Sequence, residues 1–232
     1  MLLNLTDVEF AWPKREVFLK IDAFQINEGE QVFLRGPSGS GKSTLLGLIA
    51  GVLRPKAGSI AFGEVDLAKS SPRQCDKIRA RDMGVVFQLF NLLPFLDLIS
   101  NVSLPCRLSP ERNKRLIDAG TTAEEEAHRL LRYLGLAREA EEKTPVSNLS
   151  VGQQQRVAAA RALIGAPRLI IADEPTSALD TAIRDEFLKL LRDECAAANT
   201  ALLFVSHDDH LASHFERVDS LVELNKARLQ VA

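Results

Sequence analysis

Gly36-Pro37-Ser38-Gly39-Ser40-Gly41-Lys42-Ser43-Thr44 has the residue types and the spacing to hold a polyphosphate. Glycines at 36, 39 and 41 permit backbone conformations closed to other residues, so successive N–H groups can turn inward round an anion. Lys42 then sets a cation against the terminal phosphates, and Ser43 offers a hydroxyl to magnesium. The G-x-x-x-x-G-K-S pattern follows residues 31–34, an apolar run of strand type, and precedes residues 45–50, whose pattern suits a buried helix. The positive N-terminal end of that helix adds to the attraction for phosphate. A plain flexible turn has no need of a lysine and a hydroxyl at those offsets.

Further polar residues stand at the ends of apolar runs. Residues 168–172 form a hydrophobic strand that ends in Asp173-Glu174. At the carboxyl end of a parallel strand beside a phosphate loop, an aspartate reaches magnesium through its water shell, and a glutamate orients or deprotonates the attacking water. Residues 201–205 make a last buried strand capped by Ser206-His207-Asp208, where a histidine reaches a γ-phosphate. His207, His210 and His214 could also be read as zinc ligands, but the strand context already accounts for His207 and no cysteine or fourth ligand lies near. Ser150 reads as the N-cap of a helix continuing through 157–164, with Gly152 in the first turn, which makes a second place for an anion.

Elements must carry these groups. Residues 2–10 alternate apolar and polar side chains like an antiparallel strand, and residues 17–26 repeat the pattern beyond an exposed turn at Trp12-Pro13-Lys14-Arg15. Trp12 stands where a flat aromatic either stacks on an adenine ring or packs as a partly buried hairpin residue. Residues 55–63 read as turn and short strand, followed by a polar segment rich in Lys and Arg up to Asp82 and a buried strand at 83–87. The run 89–99 is apolar but broken by Pro94, and is either core or a sticky surface that another protein covers. Residues 112–140 read as helical, with Ala127, Leu130, Leu131 and Leu134 in one apolar stripe and merely solvated charge opposite. Ser177-Ala178-Leu179-Asp180 forms a turn into a helix over 181–197, and the chain closes after 215 with one or two strands and a tail.

With 46% apolar and 26% charged side chains, 232 residues suffice for one large core or two small ones. A net charge of -2 gives no electrostatic reason to expect nucleic acid. No basic residue precedes a sustained apolar stretch at the start and no run is long enough to span a bilayer, so a cytoplasmic protein is expected. Cys75, Cys106 and Cys195 are far apart and odd in number, and read as reduced packing residues.

The motifs, in this order, resemble those of the ATP-binding cassette ATPases, the nucleotide-binding subunits of ABC transporters, over essentially the whole chain. Between phosphate loop and Asp173-Glu174 come a glutamine, Gln88, and a signature, Leu149-Ser150-Val151-Gly152-Gln153. The family pattern is L-S-G-G-Q, and Val151 departs from it, while Ser150 and Gly152, which approach the γ-phosphate in the family, are kept. The resemblance implies one α/β domain over 1–232: a P-loop NTPase core with a mostly parallel sheet (1–88 and 165–232), an N-terminal antiparallel β region, and an inserted α-helical subdomain (89–164) that carries the signature.

It further implies ATP and Mg2+ as ligands. Ser43, Gln88 and Asp173 would face the metal, and Lys42, Gln88, Glu174 and His207 would form the catalytic set. Trp12 replaces the usual tyrosine that stacks on adenine. Two copies would dimerise head to tail, so that Ser150, Gly152 and Gln153 meet the ATP held by the partner's phosphate loop. Integral membrane permease subunits would dock near residues 88–96, on Phe90, Leu92, Leu93, Phe95 and Leu96, with the cassette on the cytoplasmic face of the inner membrane. The stretch after Gln88 looks like the branch serving lipoprotein-releasing, macrolide-exporting and cell-division complexes. The alternatives are a soluble, non-transport cassette ATPase and a nucleotide-dependent regulator that does not hydrolyse.

Overall fold

The computed structural model describes residues 1–176 and 181–227, with the side chains of 181–183 outside that description. The expected Ser177-Ala178-Leu179-Asp180 turn lies outside the described residues.

The alternating N-terminal pattern gives β1 (Leu3–Ala11) and β2 (Val17–Ile26), paired antiparallel with Leu3 opposite Ile26 and Phe10 opposite Leu19. The alternation slips by one residue at Asp7, whose φ of 50° turns the chain, so Leu3 and Leu5 are followed inward by Val8 and Phe10. With β4 (Ala57–Phe62) and β5 (Val65–Asp66) they form a sheet of order β2-β1-β4-β5.

The apolar strands make a second, wholly parallel sheet. Its members are β3 (Gln31–Arg35), β6 (Met83–Val86), β7 (Leu169–Asp173), β8 (Ala201–Ser206) and β9 (Arg217–Ser220), in the order β6-β7-β8-β3-β9. Every residue of β8 is buried, as a strand covered on both faces requires. Phe33, Ile170, Ala172, Leu202 and Phe204 point into one core with α3 (Leu98–Leu108), α4 (Pro110–Asp118), α5 (Ala123–Tyr133), α6 (Ala137–Glu141), α7 (Val151–Leu163) and α8 (Thr181–Ala197). Val32, Leu34, Leu169, Ile171, Leu203 and Val205 point into a second core with α1 (Lys42–Ile49), α2 (Pro72–Asp82) and the antiparallel sheet. Two short helices, α9 (Asp209–Ala212) and α10 (Leu221–Leu224), and a 3-10 turn at Val146–Asn148 complete the described elements.

Several expectations need correction. The Lys- and Arg-rich segment before Asp82 is in part a helix, α2, started by Ser71 as N-cap and Pro72 in the first turn, with Cys75 and Ile78 inward. The helical run over 112–140 is three helices. Gly120 and Gly135, at φ 76° and 73°, break it where other residues resist the left-handed conformation. The stripe Ala127, Leu130, Leu131 and Leu134 is buried as expected. The charge on α4, the first of the three helices, is more than solvated. Arg112 is 1% exposed and donates to the carbonyls of Ile164 at 2.9 Å and of Met83, while Arg115 donates to Gly165 at 3.0 Å and to Asp82 at 2.7 Å. These arginines staple α4 to the end of α7 and the start of β6, and burial pushes the Arg112 guanidinium down to about 10. Among the described residues after 215 there is one strand, within the expected one or two, and a short helix. All three cysteines are free and buried.

Candidate active site

Parallel pairing is what assembles the site. Arg35 of β3 lies opposite Ser206 of β8, and Asp173 of β7 lies opposite Val205. The phosphate loop, Asp173-Glu174 and Ser206-His207 therefore leave the sheet at the same edge, beyond its carboxyl ends, where open α/β sheets bind ligands. They enclose a cleft of about 800 Å³ lined by Pro37, Ser38, Gly39, Gly41, Lys42, Ser43, Thr44, Gln88, Asp173, Glu174 and His207, together with Phe18.

The loop conformation depends on its glycines at two points. Gly41, the N-cap of α1, has φ 103°, and a side chain there would meet the Phe18 ring at 3.2 Å. A side chain at Gly36 would stand 2.7 Å from the hydroxyl of Ser40, which is 1% exposed. Gly36 and Ser40 thus shape the loop from behind and do not line the cleft.

At the cleft floor Lys42 Nζ donates to the carbonyls of Gly36 at 2.7 Å and Pro37 at 3.2 Å, and lies 3.2 Å from Oε1 of Glu174. Lys42 is 8% exposed and Glu174 9%, so the charges face each other largely out of water. Glu174 sits at φ 48°, its N–H donating to the Val205 carbonyl at 2.9 Å. Its other oxygen, Oε2, accepts from His207 Nδ1 at 2.8 Å and from the Ser206 hydroxyl at 3.4 Å. A carboxylate can only accept, so the proton of that contact is on Nδ1, which leaves Nε2 as the ring's remaining nitrogen. Asp173 Oδ2 accepts from Ser43 Oγ at 3.2 Å, and burial raises its carboxyl above the ordinary range.

Ser43, Asp173 and Gln88 offer oxygen donors of the kind a hard divalent ion takes. Among the described residues no group of three or more His, Cys, Asp or Glu side chains could hold a metal by itself. That donor set suits magnesium, which keeps several waters and shares its shell with substrate phosphates.

Ser150, Gly152 and Gln153 lie outside the cleft. Ser150 caps α7 in a capping box: its hydroxyl accepts from Gln153 N at 3.3 Å, and its own N–H donates to Gln153 Oε1 at 2.9 Å. Val151 is exposed at the start of the same helix. Trp12 is also absent from the lining; it is 43% exposed and edge-on to Phe10, with ring centroids 5.0 Å apart. The aromatic in the cleft is Phe18, which the sequence reading missed. Its signal was an aromatic at a position on β2 next to the inward Leu19, where an amphipathic strand usually carries a polar side chain. The apolar run after Gln88 divides: Phe90 is buried, Leu92, Leu93 and Leu96 are half-buried, and Leu89 and Phe95 are 83% and 79% exposed.

Residues 19–177 match the sequence profile of the ABC transporter family. The chain is 38% identical over 203 residues to the lipoprotein-releasing system ATP-binding protein LolD of Legionella pneumophila (strain Paris), covering 88% of this chain and 85% of that protein. It is 41% identical over 198 residues to LolD of Anaeromyxobacter dehalogenans, covering 85% and 80%. The fold matches the dimeric post-hydrolysis state of the ATP-binding cassette MJ0796 bound to ADP and Pi, with a TM-score of 0.80, 32% identity and 94% of each chain covered. The chain belongs to the ABC transporter family, as an ATP-binding, ATP-hydrolysing cassette.

Proposed function

We propose that this cassette hydrolyses ATP with Mg2+ in a composite site closed by a second copy of itself, and that it drives integral membrane subunits of a lipoprotein-releasing type of complex. The observation that carries the catalytic part is the Lys42–Glu174–His207 constellation. In that reading Lys42 exchanges the carbonyls of Gly36 and Pro37 for phosphate oxygens, which releases Glu174 to accept a proton from the attacking water. His207 holds Glu174 in place and brings its ring to the γ-phosphate. Ser43, Asp173 and Gln88 would hold Mg2+, which when bound neutralises phosphate charge. Phe18 and the more distant Trp12 offer the flat surfaces for the base.

Ser150, Gly152 and Gln153 stand at a helix N-terminus outside the chain's own cleft, so their phosphate would arrive with the second copy. The LolD names of the relatives and the dimeric state of the solved neighbour support the partner assignments. Residues 89–164 act in this reading as the subdomain that carries the signature, and the exposed Leu89 and Phe95 as the docking point for membrane subunits on the cytoplasmic face. No described helix is long and apolar enough to cross a membrane, in keeping with a peripheral role. Phosphate release by the purified chain tests the catalytic part. Lys42→Ala is expected to abolish it, and a wild-type rate for that variant would overturn the reading.

A further inference from the structure

Gln88 lines the cleft, yet its side chain makes no hydrogen bond among the described residues. Its place is set by the backbone that follows, and that backbone is unusual. Phe90 and Asn91 are consecutive non-glycine residues in the left-handed region, at φ 56° and 50°. Two such residues in a row persist only where surrounding groups over-determine them.

The group that does so is Arg161. It projects from the last turn of α7 and donates Nη2 to the carbonyl of Phe90 at 2.5 Å and Nη1 to that of Asn91 at 2.7 Å. A planar guanidinium spanning two adjacent carbonyls fixes both peptide planes at once. The far end of the loop is held separately. Asn101, fully buried on α3, accepts from Leu93 N at 2.8 Å and donates to the carbonyls of Leu93 at 3.0 Å, Leu96 at 3.1 Å and Asp97 at 3.1 Å. The half of the loop that bears Gln88 is thus tied to α7, whose other end is the Ser150 cap, about 16 Å away along the helix.

We propose that Arg161 is the positioning residue for Gln88: through the carbonyls of Phe90 and Asn91 it makes the glutamine turn and the signature helix move as one body. This rests on the proposed roles of Gln88 and Ser150. A shift of α7 on meeting a second copy's nucleotide is then passed to Gln88 in the chain's own cleft by two hydrogen bonds.

The test is a double-variant cycle on the full chain. Arg161→Met keeps the aliphatic stem and removes both donors. It should lower turnover by roughly tenfold to a hundredfold, leave ATP affinity within about twofold, and reduce amide-exchange protection at Phe90 and Asn91. Adding it to Gln88→Ala should cause little further loss, because the residue it positions is already gone. Asn91→Gly in the Arg161→Met background should recover part of the turnover, since glycine takes a positive φ without steric resistance. If Arg161→Met does not fold, Arg161→Lys, which keeps the charge but reaches one carbonyl, carries the same cycle. Full multiplication of the two losses, or a wild-type rate for folded Arg161→Met, would overturn the proposal. A wild-type rate for Gln88→Ala alone would instead remove the underlying reading of Gln88, and the proposal with it.

Discussion

Lys42 and Glu174 form an ion pair at the floor of the cleft, Nζ to Oε1 at 3.2 Å, although one opens α1 and the other follows β7, far apart in sequence. In the proposed mechanism each holds the other in check: the lysine meant for the phosphates is occupied, and the carboxylate meant for the water is paired. On that mechanism nucleotide binding breaks this pair before chemistry starts. Glu174→Gln keeps the shape and the His207 contact but cannot take a proton. Turnover should fall by about a hundredfold or more, with ATP affinity unchanged or tighter, measured by phosphate release alongside equilibrium nucleotide binding.

Gly84 on β6 faces the end of α7 so closely that an added Cβ would lie 2.2 Å from the Ala162 carbonyl and 2.5 Å from Ile170 Cδ1. Backbone on one side and core on the other leave nothing able to yield. Gly84→Ala should destabilise the fold by about 2 kcal/mol, read as a shift in the denaturant midpoint, and should disturb Gln88 just beyond the strand.

Most of this was legible in the sequence because the information was local. A glycine-rich turn between an apolar strand and a helix, and carboxylates after an apolar run, each name their element and their chemistry within a dozen residues. The N-cap at Ser150 was likewise readable, and so was a helix beginning at Thr181. What stayed hidden was relational. Phe18 becomes part of the site only because β2 runs past Gly41, and Arg112, Arg115 and Arg161 look like surface charge until the carbonyls they meet, some 30 to 70 residues away, are in place.

Glu30 ties β3 to β9. Burial pushes its carboxyl up, but donation from Arg217 at 2.7 Å and from Asn27 N at 2.7 Å overcomes this and leaves it below the ordinary range. A carboxylate whose folded value is depressed contributes stability above its unfolded value and loses it as the pH falls through the folded one. Glu30→Gln should therefore cost about 1 kcal/mol at pH 7 and nothing once the pH is well below the ordinary carboxylate range. Thermal unfolding of both proteins across an acid series checks this, and curves that stay parallel down to the lowest pH would contradict it.

Leu89 and Phe95 are exposed on the run that follows Gln88 and belong to neither core. Phe95→Asp should leave unfolding within about 0.5 kcal/mol of wild type and leave the isolated ATPase active, while abolishing co-purification with the membrane subunits proposed as partners. Loss of the isolated activity would place Phe95 in the fold and remove it from the docking surface.

The most direct measurement for the shared site is the solution mass of Glu174→Gln with saturating ATP, by light scattering, with and without Ser150→Arg. The account predicts twice the 25.5 kDa of the single chain for Glu174→Gln with ATP, and the single-chain mass when Ser150→Arg is added. A single-chain mass for Glu174→Gln at saturating ATP, or a doubled mass that survives Ser150→Arg, would contradict it.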